Sequence, residues 1–156
     1  MASVKPGDMA PDFELASDEG PAVRLSALRG KPVILYFYPR DDTPGCTTEA
    51  CDFRDRHAAV TAAGAVVLGV SPDGQKAHAR FRSKFALPFQ LLCDPDKVAL
   101  AAYGVYGKKI MYGKETLGVI RSTFLIDRNG RVAAAWPKVS VKDHAAAVLA
   151  ELAKLD

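Results

Sequence analysis

The sequence predicts an α/β fold with parallel strands at its centre, on three observations. Two apolar, β-rich runs, Pro32–Tyr38 and Ala65–Val70, flank a stretch from Thr43 to Gly64 that is long enough for a helix of several turns. A strand, a helical crossover and a second strand form a βαβ unit, whose strands lie parallel in one sheet. Further on, Arg128-Asn129-Gly130 is a hairpin turn signal between two more β-type runs, Gly118–Asp127 and Arg131–Trp136.

Taken in order, Phe13, Leu15, Val23 and Leu25 mark an added strand or hairpin at the amino-terminal side. The continuous apolar character of Pro32–Tyr38, bounded by Gly30 and Pro39, assigns it to a central strand buried on both faces. Ser71-Pro72-Asp73 then supplies helix-start residues before Ala77, Phe81 and Phe85, and Pro88 ends that helix. Pro95 to Tyr103 is a third helical segment, and an amphipathic helix from about Val141 to Leu155 closes the chain. A βαβ unit, a helix, a β-hairpin and a final helix is the thioredoxin order of elements. The expected architecture is that fold with an amino-terminal β extension, its mixed central sheet flanked by helices. At 156 residues, without linker or internal repeat, the chain is expected to form one domain over residues 1–156.

Composition excludes several function classes. The net charge of +3 is small and the basic residues are scattered, apart from Lys108-Lys109 and Arg80, Arg82 and Lys84, so there is no nucleic-acid footprint. Met1–Asp8 lacks an apolar run of signal-peptide length, and no stretch approaches the ~20 residues that span a bilayer. The cytoplasm is the expected compartment. Three cysteines, an odd number, then point to reactive or buried thiols rather than to a disulfide scaffold.

The most informative segment is Pro39-Arg40-Asp41-Asp42-Thr43-Pro44-Gly45-Cys46-Thr47-Thr48-Glu49-Ala50-Cys51. Thr43 is a favoured N-cap and Pro44 is favoured at the first helical position, so a helix starts here directly after the strand. Cys46 falls near the third helical position, among backbone N–H groups that have no intrahelical partner and at the positive end of the helix dipole. Both favour a thiolate. Helical register puts Cys46 on an inward stripe with Ala50, Phe53, His57 and Val60, and puts Cys51 with Asp55, Ala58 and Ala62 on a face nearer solvent. The plainer alternative is that Cys46 is a small hydrophobe in a core helix.

With these residues the sequence resembles the peroxiredoxins, and within them the peroxiredoxin Q or bacterioferritin-comigratory group. Pro39, Thr43 and Cys46 match Pro-x-x-x-Thr-x-x-Cys, and Thr43 to Cys51 match Thr-Pro-Gly-Cys-Thr-x-Glu-x-Cys. The likeness extends to Gly7–Phe13, Gly69–Asp73 and the arginine-bearing run Gly118–Asp127. It implies that Cys46 is the peroxidatic cysteine, that Thr43 hydrogen-bonds the sulfur and the bound peroxide, that Pro39 shields the pocket and that Arg121 holds thiolate and substrate. Taken alone, Arg121 would be a solvated strand-end cation. Glu49 either complements the helix dipole or has a catalytic part, and Cys93 is a buried small side chain or a back-up resolving thiol.

The implied activity is a thiol-dependent peroxidase acting on hydrogen peroxide and organic hydroperoxides. Cys46 would become a sulfenic acid and then form an intramolecular disulfide with Cys51, to be reduced by thioredoxin or a similar dithiol. No cofactor, metal, nucleic acid or membrane is expected as a partner, and relatives of this group point to a monomer. Three competitors remain. A thiol-disulfide oxidoreductase on the same fold would carry Cys-x-x-Cys, whereas this chain has four residues between Cys46 and Cys51. A metal-binding module would use Cys46, Cys51 and His57, which lie on divergent helix faces. A redox sensor would signal through the same disulfide without turnover.

Overall fold

The computed structural model describes residues 4–155, so Met1–Ser3, part of the amino-terminal segment read above, and Asp156 lie outside it. Nine strands and five α-helices are described: β1 (Glu14–Ser17), β2 (Val23–Arg24), β3 (Val33–Phe37), α1 (Pro44–Asp55), α2 (His57–Ala62), β4 (Val66–Ser71), α3 (Gln75–Phe85), β5 (Gln90–Cys93), α4 (Val98–Ala102), β6 (Tyr106–Met111), β7 (Lys114–Val119), β8 (Ser122–Ile126), β9 (Val132–Trp136) and α5 (His144–Leu152). Seven strands make one sheet in the order β2-β1-β5-β4-β3-β8-β9, while β6 and β7 pair with each other as a separate ribbon. β3, β4 and β5 are parallel, and β1, β8 and β9 add antiparallel edges. The architecture is the thioredoxin fold with an amino-terminal β extension.

β3 lies mid-sheet because all five of its side chains are apolar or aromatic and every one is buried. Its alternation feeds two cores. Val33, Leu35 and Phe37 pack with Phe13, Leu100, Tyr103 and Phe124 on one face. Ile34, Tyr36 and Tyr38 pack on the other against Cys46, Ala50 and Phe53 of α1, Phe81 of α3 and Val148 of α5. Complete burial of several such side chains, each contributing on the order of 1.5–3 kcal/mol, fixes β3 and therefore the loop that leaves it.

Four departures from the expected elements have local causes. The helix expected over Thr43–Gly64 breaks at Arg56, whose guanidinium takes the Asp52 carbonyl at 3.1 Å while its own N–H turns to Phe53. β5 was not expected; Phe89, Leu91 and Leu92 form a run too short to separate from loop by periodicity. The β6–β7 ribbon was missed because its residues are largely exposed and lack apolar alternation; Tyr112 and Gly113, with φ of 53° and 76°, make its turn. The run Gly118–Asp127 is not one strand, since β7 ends at Val119 and β8 begins at Ser122. That interruption leaves Arg121 at a joint, where its carbonyl accepts from the Val139 N–H at 2.8 Å and Ser122 Oγ donates to the Ile120 and Pro137 carbonyls at 2.8 and 2.9 Å. The Arg128–Gly130 turn is as expected, tied by Asp127 Oδ1 to the N–H groups of Asn129 and Arg131 at 2.9 and 3.0 Å.

Tyr36 of β3 lies over Gly69 of β4, its register partner. A Cβ on Gly69 would stand 2.9 Å from Tyr36 Cζ and Oη and 3.0 Å from Leu91 Cδ2, so this position needs glycine for space. Gly69→Ala should lower the urea midpoint by roughly 1–3 kcal/mol of stability at unchanged slope. An unaltered midpoint would show that the Tyr36 ring can move aside freely.

Candidate active site

α1 begins as its sequence predicts, with Thr43 extended at the N-cap, Pro44 first and Cys46 third in the helix. Cys46 is buried at 1 % exposure. Arg121 reaches it from the β7–β8 joint: Nη2 donates to Cys46 Sγ at 3.3 Å and Nη1 to Glu49 Oε1 at 2.7 Å. The approach crosses Gly45, where a Cβ would stand 3.2 Å from Arg121 Nη2. Glycine here gives the guanidinium its path to the sulfur. Arg121 stays charged, because Glu49 and Cys46 outweigh the burial that opposes its charge.

The other expected residues are placed less uniformly. Pro39 is half-buried and borders, with Val119, Ile120, Arg121 and Lys109, an open groove of about 660 Å³. Thr43 is near in sequence but its hydroxyl donates to the Arg40 carbonyl at 3.0 Å, so its proton is not aimed at the sulfur as expected; its lone pairs remain to accept. Cys51 is half-buried on α1, and burial pushes its thiol up, with Arg54 opposing and Asp55 and Asp52 reinforcing. Cys93 is buried, its thiol pushed up to about 11 by burial and by Asp41, Asp18 and Asp73. All three thiols are free. His57 is half-buried beside Thr61 and Phe89, not part of the closed inward stripe of Cys46, Ala50, Phe53 and Val60.

Among the described residues, one group of carboxylates and imidazole, Asp41, Asp73 and His78, has ligand-type atoms within 4.8 Å of one another. Hydrogen bonds from the protein occupy these groups: His78 lies against Asp41 and the Leu92 carbonyl, and Asp73 accepts from Ser71 Oγ and the Asp41 N–H.

The sequence model of the AhpC/TSA family matches residues 6–135. Peroxiredoxin Bcp of Bacillus subtilis is 51% identical over 150 residues, covering 96% of both chains. Peroxiredoxin Q of Xanthomonas campestris superposes with a TM-score of 0.87 at 43% identity, covering 96% of this chain and 95% of that one. A Xylella fastidiosa PrxQ variant superposes at 0.91, with 34% identity over 98% of each chain. The chain belongs to the AhpC/TSA family, as a peroxiredoxin of the Bcp or Q group. Such proteins are peroxidases. No described helix is long and apolar enough to cross a membrane.

In this peroxiredoxin the sequence undervalued Glu49. It is 1 % exposed, one oxygen is held by Arg121 and the other, Oε2, is buried without a partner among the described residues. Burial outweighs the Arg121 attraction and pushes its carboxyl up to about 7. The usable signal was register: Glu49 lies three residues after Cys46, on the same helix face. Behind Arg121, His144 is 2.7 Å from Thr123 Oγ1 and is kept neutral near pH 7, pulled down to about 4 by burial and by the Arg121 charge. Arg121 is therefore the cation that faces the sulfur without a second one behind it.

Glu49 gives a pH signature. The folded carboxyl keeps its proton to about 7 while an unfolded one releases it near 4.5, so between these values the folded chain binds more protons and stability falls as pH rises. One such group contributes a slope of up to ~1.4 kcal/mol per pH unit. Subtracting the urea stabilities of Glu49→Gln from those of the native chain between pH 4 and about 8 should expose that fall; a flat difference would mean that the carboxyl ionises at its ordinary value.

Proposed function

We propose that the protein reduces hydrogen peroxide and organic hydroperoxides to water or alcohols, with Cys46 as nucleophile and Cys51 as resolving thiol. The observation that carries this reading is the Arg121 guanidinium 3.3 Å from Cys46 Sγ at the start of α1. The cation and the unpaired N–H groups of the first turn stabilise negative charge as it moves from sulfur onto peroxide oxygen. Thr43 accepts a hydrogen bond from the peroxide O–H, and Pro39 walls the approach. The thiolate attacks one oxygen, the O–O bond breaks, and the departing oxygen takes a proton to leave as water or alcohol. Organic hydroperoxides are included because the Xanthomonas campestris bacterioferritin comigratory protein, 42% identical with a TM-score of 0.87, is described for alkyl peroxide reduction.

The resulting Cys46 sulfenic acid condenses with the Cys51 thiol, releasing water and forming a disulfide. Both cysteines belong to the unbroken helix α1. Five residues of regular α-helix separate the two Cα atoms by about 8.7 Å, beyond the ~7 Å limit for a disulfide, so the first turns must unwind before the bond can form. The closed helix serves peroxide attack and the open one serves resolution. Thioredoxin or a similar dithiol protein then restores both thiols by exchange. The unit is the whole chain as one domain, acting as a cytoplasmic monomer.

Peroxide consumption with thioredoxin, thioredoxin reductase and NADPH tests the reading. The native chain should turn over continuously, Cys46→Ser should consume nothing, and Cys51→Ser should stop after one equivalent with a trappable sulfenic acid. A single stoichiometric burst from the native chain would make it a sensor, and sustained turnover by Cys51→Ser would remove Cys51 from resolution.

Replacing the cation probes the charged step. Arg121→Ala should slow peroxide reduction by about 10²–10³-fold, while Glu49, already prone to hold a proton, lets the fold survive the loss of its partner. Arg121→Lys should also be slow, because an ammonium cannot span sulfur and carboxylate with a planar fork. A rate close to native in Arg121→Ala, measured by stopped flow, would assign Arg121 a structural part only, and one in Arg121→Lys would make the charge and not the fork decisive.

A further inference from the structure

Between β3 and α1 the chain is fastened most fully at Asp41, whose side chain and amide both take buried partners. Its side chain is 6 % exposed and that of His78, on α3, is 0 % exposed. Asp41 Oδ2 lies 2.6 Å from His78 Nδ1, Asp41 Oδ1 accepts from Tyr38 Oη at 2.6 Å, and the Asp41 N–H donates to Asp73 Oδ2 at 2.8 Å. His78 Nε2 is 2.8 Å from the Leu92 carbonyl, which can only accept, so this nitrogen carries a hydrogen. The other ring nitrogen and the Asp41 carboxyl share a proton, making a buried hydrogen-bonded pair backed by α3, β4 and β5.

The next residues are held differently. Asp42 has a φ of 59°, an uncommon conformation for a residue with a side chain, and its carboxylate is bound by the exposed Lys84 at 2.8 Å. Thr43 closes a local turn onto Arg40, and Pro44 and Gly45 follow directly before Cys46. Fixation therefore ends at Asp41, and the short stretch from Asp42 onward is where backbone angles can change.

We propose that Asp41 and His78 are positioning residues forming a fixed pivot, on which the start of α1 closes to bring Cys46 against Arg121 and from which it opens for resolution. The inference rests on the peroxidase reading above. Separating this buried pair leaves both polar groups without partners in the protein interior, a cost that opening the partly exposed stretch from Asp42 to Gly45 does not incur. The contact thus stays closed while the turn opens, and the movement begins at Asp42. A pivot also reproduces the same closed geometry after each opening, which a tether free at both ends would not.

Stopped-flow oxidation of the native chain, Asp41→Asn and His78→Gln, with sulfenic acid formation and disulfide formation followed separately, tests this. Both variants should form sulfenic acid more slowly by about tenfold, as expected when a reacting group is displaced by a fraction of an ångström to 1 Å. Conversion of sulfenic acid to disulfide should be no slower than in the native chain. A parallel fall in both steps, or no fall in the first, would overturn the pivot. If the variants fail to fold, amide exchange in the native chain decides. The Asp41 N–H should be equally protected in the reduced and disulfide forms while the amides of Gly45 to Glu49 exchange faster in the disulfide form. Loss of Asp41 protection on oxidation would overturn the proposal. A native chain that forms no sulfenic acid would remove the peroxidase reading and the pivot together, whereas unequal Asp41 protection removes the pivot alone.

Discussion

The contact between Arg121 and Cys46 is the constraint around which the surrounding structure is arranged. It joins residues 75 positions apart, a cation from the joint between β7 and β8 and a thiol from the first turn of α1, at 3.3 Å. Two local features permit it. Gly45 leaves the space through which the guanidinium passes, and the strand break at Ile120-Arg121 frees Arg121 from the sheet's alternation while backbone hydrogen bonds hold it in place. A continuous strand would dictate its facing by pleat alone.

Glu49 completes the arrangement at a cost. A buried carboxyl with one unpartnered oxygen is unfavourable for folding, and it is kept one helical turn from Cys46, where it holds the Arg121 fork in place. A protonated Glu49 weakens that hold and leaves more of the Arg121 charge directed at sulfur; an ionised one draws it away. The neutral His144 behind adds no competing cation. Charge around the thiol is thus set by a small number of buried groups in a low-dielectric region, where their effects are large.

The proposed reaction places two demands on the start of α1. This segment has to hold Cys46 beneath Arg121, yet as an intact helix it keeps Cys46 and Cys51 too far apart to bond. Its composition suits both. Pro44 and Gly45 start the helix without acidic residues in the first turn, the Thr43 side chain makes no capping bond, and the inward residues Ala50 and Phe53 lie further along. The firm packing is therefore downstream, and the firm polar fastening is upstream at Asp41, leaving a weakly held stretch between them.

Much of this was legible in the sequence where one local pattern decides the outcome. The apolar run Pro32–Tyr38 read as a strand buried on both faces, Thr43-Pro44 as a helix start, and Arg128-Asn129-Gly130 as a hairpin turn; each was found in place. Register within α1 also separated buried Cys46 from half-buried Cys51, because a helix's periodicity is fixed by its backbone hydrogen bonds. What no local pattern carries is which distant groups meet. β5 and the β6–β7 ribbon acquired their strand identity from pairing partners, and Arg56 ended α1 through a side-chain bond no periodicity reports. The burial of Glu49, its grip on Arg121, the turning of the Thr43 hydroxyl to Arg40 and the Asp41–His78 contact were likewise decided only in the tertiary structure. Burial and hydrogen bonding there depend on the packing of separate elements, and a polar side chain gives no sign in sequence of whether water or another buried group will be its partner.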